Sequence, residues 1–169
     1  MIAKQYKYLW LSIVVVFLDQ ISKIIVRITM PIGNGFSAPS IPVLGELFKL
    51  THVQNCGAAF SLSLGSATFN RIAFTAITAA FLIVIFFILK KTESKVEQIA
   101  YPLIIGGAIG NLIDRVFIGG VTDFLDVDFP DFIMERWPIF NIADSAIVVA
   151  ITILIIYFIF FEKKALEAK

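Results

Sequence analysis

Four runs of about 20 mainly apolar residues, at 8–30, 69–89, 99–118 and 139–161, take up most of this 169-residue chain. Runs of this length point to helices crossing lipid. A hydrocarbon core about 30 Å thick is spanned by about 20 residues at helical rise. It also holds no water to satisfy an open backbone. Their ends are marked. Pro31 and Gly33-Asn34-Gly35 stop the first, Lys90-Lys91 the second, Gly119-Gly120 the third and Glu162-Lys163-Lys164 the fourth. Composition agrees, with 59% hydrophobic and 16% charged residues. Soluble domains carry about 45–50% and about 25%, and disordered chains still less apolar content. The first run is longer than a secretory signal core, carries Asp19, Lys23 and Arg27, and lacks a small-residue cleavage site. It is therefore expected to be retained as a helix.

Basic residues predict the orientation. Lys4 and Lys7 precede the first run, Lys90, Lys91 and Lys95 separate the second and third, and Lys163, Lys164 and Lys169 follow the fourth. The loops 31–68 and 119–138 carry only Lys49 and Arg136. The positive-inside rule puts both termini in the cytoplasm and both long loops outside. Within the first loop, residues 43–64 mix β-branched and apolar positions, which predicts a small sheet. The second loop is acidic, with Asp123, Asp126, Asp128, Asp131 and Glu135 against Arg136. A net charge of +1 offers no basic footprint for nucleic acid. One cysteine, Cys56, makes no internal disulfide, and one histidine, His52, builds no His-rich metal centre. No metal or cofactor is expected, and His52 and Cys56 are read as ordinary loop residues.

Chemistry is expected where polar groups are expensive. Asp19, Asn111, Asp114, Arg115, Asn141 and Asp144 lie within or at the ends of the apolar runs. Such residues face bundle interiors and mark functional sites. In the predicted orientation all of these but Asp19 fall at the outer boundary, as does Asp123. Asn111 stands i,i+3 from Asp114 and i,i+4 from Arg115, and Asn141 is i,i+3 from Asp144. Gly106 and Gly110 form a small-xxx-small pair, expected to draw the third and fourth helices together. Arg115 is expected to pair with Asp114 or Asp19. Two carboxylates in one low-dielectric site would share a proton and could act as general acid and base. Asp123 by itself reads as a solvated loop residue. A small four-helix transporter and a non-catalytic scaffold stay open as alternatives.

Five blocks, in order, resemble a known family. They are Phe17-Leu18-Asp19-Gln20-Ile21-Ser22-Lys23; Asn55-Cys56-Gly57-Ala58-Ala59-Phe60; Gly106-Gly107-Ala108-Ile109-Gly110-Asn111-Leu112-Ile113-Asp114-Arg115; Val121-Thr122-Asp123-Phe124; and Phe140-Asn141-Ile142-Ala143-Asp144-Ser145. The chain resembles lipoprotein signal peptidase, the type II signal peptidase of bacteria, over nearly its whole length. The resemblance implies an all-α membrane protein of four transmembrane helices with a small extracytoplasmic β-sheet and a mobile loop helix within 31–68. It implies an aspartic endopeptidase of the inner membrane, acting as a monomer among membrane lipids on diacylglyceryl-modified prolipoproteins. Cleavage would fall on the N-terminal side of the lipidated cysteine. By resemblance the catalytic pair is Asp123 and Asp144. Supporting residues are Asp19, Lys23, Asn55, Gly57, Asn111, Asp114, Arg115 and Asn141. Cys56 departs from the small hydroxyl residue expected at its position.

Overall fold

The structure, a computed structural model, describes residues 4–34, 38–57, 65–128 and 136–162. A 3-10 turn at Lys4–Tyr6 leads into α1 (Trp10–Thr29). The strands β1 (Ser40–Leu44) and β2 (Phe48–Asn55) follow, then α2 (Ala67–Lys91), α3 (Lys95–Phe117) and β3 (Val121–Val127). The last helix, α4 (Ile142–Tyr157), is prolonged by a π-helical turn, Phe158–Glu162. Among the described residues, four helical segments are long and apolar enough to cross a membrane. The expected loop helix falls in part on residues outside the described ones, as do the Lys163, Lys164 and Lys169 tail and Asp131 and Glu135.

The helix α3 is the central post. Its most apolar window is 61% buried, against 28%, 17% and 11% for the spans built on α1, α2 and α4. Large apolar side chains such as Phe17, Ile28, Ile72, Phe87 and Ile155 point outward from the other three. That is the arrangement lipid demands, since hydrocarbon penalises exposed polar groups rather than apolar ones. Away from the sheet, Ile85, Leu89, Tyr101, Ile104, Ile105 and Leu154 close an apolar core. At the sheet end, Val26 of α1 and Met30, just past its end, pack on Phe124 of β3.

Three glycines let the neighbours of α3 approach. A Cβ on Gly106 would lie 2.8 Å from the Val15 Cβ, and one on Gly110 would lie 2.5 Å from an Asp19 carboxylate oxygen. Gly106 therefore faces α1, while Gly110 faces α1 and also α4, the partner the small-residue spacing suggested, where a Cβ would lie 3.2 Å from the Ala143 Cβ. Gly107 serves α4, where a Cβ would meet the Ala143 carbonyl oxygen at 2.4 Å. The sequence spacing shows that close approach is available but not which partner uses it. Gly107→Ala is expected to lower stability by about 1–3 kcal/mol through overpacking, read as a lower thermal midpoint in detergent.

The sheet is antiparallel, in the order β1-β2-β3. Between the pairs Leu50–Leu125 and Val53–Asp123, Thr51 and His52 together oppose Phe124 alone, which makes a bulge beside Asp123. The segment before α4 covers the free side of β3. Phe140 accepts from Phe124 and Leu125 through its carbonyl and donates to the Leu125 carbonyl. Arg136 pairs with Asp126 and also donates to the Glu46 carbonyl. This cover buries Asp123 and Asp126, each 3% exposed, so neither is the solvated loop residue that its acidic surroundings suggest. Helix α4 accordingly begins at Ile142, three residues beyond the apolar boundary at 139, because Phe140 is taken up in pairing with β3.

Candidate active site

Two acids from distant segments converge through Asn141. That residue caps α4: its side-chain oxygen accepts from the Asp144 backbone N–H at 2.9 Å. Asp144 answers by accepting from the Asn141 backbone N–H at 3.2 Å, which completes a capping box. The i,i+3 spacing of these residues thus reports a cap and not two positions on one helix face. A backbone N–H can only donate, so the Asn141 amide nitrogen must point the other way. It donates to Asp123 Oδ1 at 2.7 Å and to Asn111 Oδ1 at 3.1 Å.

The orientation of Asn111 is fixed in the same way. Lys23 Nζ donates to its oxygen at 2.9 Å, which turns the Asn111 amide nitrogen onto Asp144 Oδ1 at 2.7 Å. Asn55, at the end of β2, donates to Asp123 Oδ2 at 3.2 Å. Each of the four carboxylate oxygens therefore accepts one N–H, and its second lone pair is left for a proton or a reactant. Burial, and next the neighbouring charge of Asp144, push the Asp123 carboxyl up to about 7.

A buried charge cluster lies beneath the pair. Lys23 contacts Asp19 at 2.9 Å and Asp114 at 3.3 Å, all three fully buried. The other Asp19 oxygen accepts from the Ala143 backbone N–H at 3.0 Å, holding the first turn of α4. Sequence reasoning missed Arg27, which pairs with Asp114 at 2.7 Å, and Gln20, which donates to Asp19 and to the Gly110 carbonyl. The signal was present: Asp19, Lys23 and Arg27 recur every four residues along one face of α1.

Arg115 does not pair with Asp114 or Asp19. It donates to the Gly57 carbonyl at 3.4 Å and stacks over the Phe74 ring, because Lys23 and Arg27 already occupy Asp114. The Gly57 N–H donates to the Asn55 oxygen at 2.9 Å, so the Asn55–Gly57 turn connects Arg115 to the Asp123 side of the site. A cavity of about 360 Å³ opens beside this turn, lined by Gln54, Asn55, Cys56, Gly57, Gly65, Ala67 and Asn70. His52 and Cys56 are separate from one another. The His52 ring is hydrogen-bonded to the Met30 carbonyl, and four residues of strand span roughly 13 Å.

The chain is similar to known proteins over most of its length. The family model described as signal peptidase (SPase) II matches residues 11–160. A lipoprotein signal peptidase of Borrelia hermsii is 41% identical over 91% of this chain and 90% of its own. One from Halothermothrix orenii is 38% identical over 86% of this chain and 90% of its own. A bacterial membrane enzyme solved by the in meso method at 2.3 Å resolution superposes with a TM-score of 0.77. It is 33% identical, over 89% of this chain and 85% of that one. The matches run through all four spans and the sheet, and this membrane protein belongs to the signal peptidase II family of proteases.

Proposed function

We propose that Asp123 and Asp144 are the general acid–base pair of an aspartic endopeptidase that removes the signal peptide from diacylglyceryl-modified prolipoproteins. The observation that carries this reading is the Asn141 bridge. One side chain donates to Asp123 and caps the backbone of Asp144, so both carboxyls are held at one point with spare lone pairs. The transporter reading would need polar groups in both halves of the bundle to alternate access. The half away from the sheet is instead closed by the Ile85, Leu89, Ile104 and Leu154 core.

In the reaction, the ionised carboxylate takes a proton from a water molecule as its oxygen attacks the scissile carbonyl carbon. The protonated carboxyl gives its proton to the carbonyl oxygen, forming a neutral gem-diol. Collapse breaks the C–N bond. The base returns its proton to the leaving nitrogen, which becomes the amino terminus of the lipidated cysteine, and the other acid regains the diol proton. Asn111, Asn141 and Asn55 hold both acids in register throughout, and Arg115 with Gly57 faces the peptide backbone. Asp19, Lys23 and Asp114 support the wall behind the pair.

The sheet end faces outward from the bacterial inner membrane, with both termini in the cytoplasm, and the protein works as a monomer among lipids. At that boundary a peptide can unwind into an extended form that hydrocarbon would penalise. Acyl chains on the substrate cysteine contribute about 0.8 kcal/mol per buried methylene and hold the scissile bond at this depth. Purified protein in detergent is expected to release signal peptide from a lipidated precursor and to turn over the unlipidated precursor at least tenfold more slowly. Equal rates would remove the lipid from recognition, and no release from either precursor would remove the peptidase reading itself.

A further inference from the structure

We infer that Arg27 is a positioning residue for the peptidase reaction, forking between Asp114 and Thr122 to hold the strand that presents Asp123. Its guanidinium Nη2 donates to Asp114 Oδ1 at 2.7 Å and its Nε donates to Thr122 Oγ1 at 2.9 Å. The Thr122 backbone N–H donates to the other Asp114 oxygen at 2.8 Å. Arg27, Asp114 and Thr122 thus close a ring of three hydrogen bonds that joins α1, α3 and β3.

The ring acts on the residue next to the reacting acid. Thr122 is 2% exposed, and all three of its polar groups are engaged: N–H by Asp114, hydroxyl by Arg27, and carbonyl by the Asn141 amide at 3.4 Å. With the amide before it, the carbonyl after it and its side chain all held, Thr122 is restrained from swinging, and the adjoining Asp123 side chain inherits that restraint. The bulge at Thr51 and His52 interrupts the ladder on the β2 side of this strand, so part of the fixing has to come from the helices. Lysine could not take the place of Arg27, because a single ammonium lacks the planar fork that reaches a carboxylate and a hydroxyl together. Nor is Arg27 required to neutralise Asp114, which keeps Lys23 at 3.3 Å without it.

This inference rests on Asp123 being one of the reacting acids. The test compares Arg27→Met, Arg27→Lys, Thr122→Val and the Arg27→Met/Thr122→Val double variant in detergent, with a lipidated precursor and wild type and Asp123→Asn alongside. Arg27→Met and Thr122→Val should each lower kcat about tenfold with KM within twofold, since the ring touches the acid and not the substrate. The double variant should be no slower than the slower single, because both break one ring. Arg27→Lys should remain as slow as Arg27→Met. Wild-type kcat in either single variant, a hundredfold loss in the double, or full rescue by lysine would overturn the proposal. Thr122→Val preserves side-chain shape, so it carries the test should Arg27→Met fail to fold. Activity in Asp123→Asn would instead overturn the dyad reading, whatever the Arg27 variants show.

Discussion

Asp123→Asn and Asp144→Asn are each expected to lower turnover of a lipidated precursor by at least about 10³-fold, the scale of a positioned acid or base. Asparagine keeps the size and one acceptor but neither takes a proton from water nor delivers one to a carbonyl. The loss should appear in kcat, with the protein still present in the membrane and cooperatively folded in detergent. A fully active asparagine variant at either position would end the dyad proposal. The pH profile follows from the same pair. One proton must reside on it, and Asp123 is pushed up to about 7 by burial and by Asp144. Activity should therefore fall as pH rises through about 7, when that proton leaves.

Stability carries the opposite face of this shift. A carboxyl raised in the folded state keeps its proton where the unfolded chain has already lost it. Stability then declines as pH rises from about 4 to about 7 and stays lower above that window. Asp123→Asn removes the titration, so the thermal midpoint of the variant should vary less than that of wild type between pH 5 and pH 8. A variant that loses both activity and midpoint at every pH would indicate that Asp123 is structural.

Lys23→Met should be the most destabilising single change in the bundle, by about 3–5 kcal/mol. It leaves Asp19 and Asp114 facing each other with only Arg27 for compensation, and it frees the Asn111 oxygen from its charged donor. The mechanism is the stranding of buried charge, and this makes a compensating change predictable. Lys23→Met with Asp19→Asn removes one positive and one negative charge together, and asparagine can still accept from the Ala143 N–H. The double variant should recover most of the lost midpoint, a coupling that a double-mutant cycle in detergent would measure. Additive losses would show that Lys23 and Asp19 do not act as a pair.

Much of this molecule was legible before any coordinates. Four twenty-residue apolar runs admit few forms in lipid, and polar residues inside them had to converge. The Asp19 and Lys23 pairing is a plain consequence of four-residue spacing on α1. The start of α4 was harder to read, because Pro138, Ile139 and Phe140 prolong the apolar run while the backbone is already committed to β3. Apolarity does not distinguish a residue packed in a helix from one packed under a strand. The cue was polar: Asn141 followed three residues later by Asp144 is a capping pattern. Burial of Asp123 was equally hidden, since it depends on a covering segment 17 residues downstream, from Phe140 back to β3. The choice of Arg27 over Arg115 for Asp114 followed from helix rotation, which composition does not encode.

On the dyad proposal the cap on α4 would also order events during synthesis. Asp144 is oriented by the opening turn of the last span to leave the ribosome, and the amide that holds Asp123 belongs to that same turn. A nascent chain with three spans inserted would have one acid on its strand and nothing to pair it with. On the dyad proposal such a chain would be inert, and hydrolytic competence would arrive only when α4 docks on Gly107.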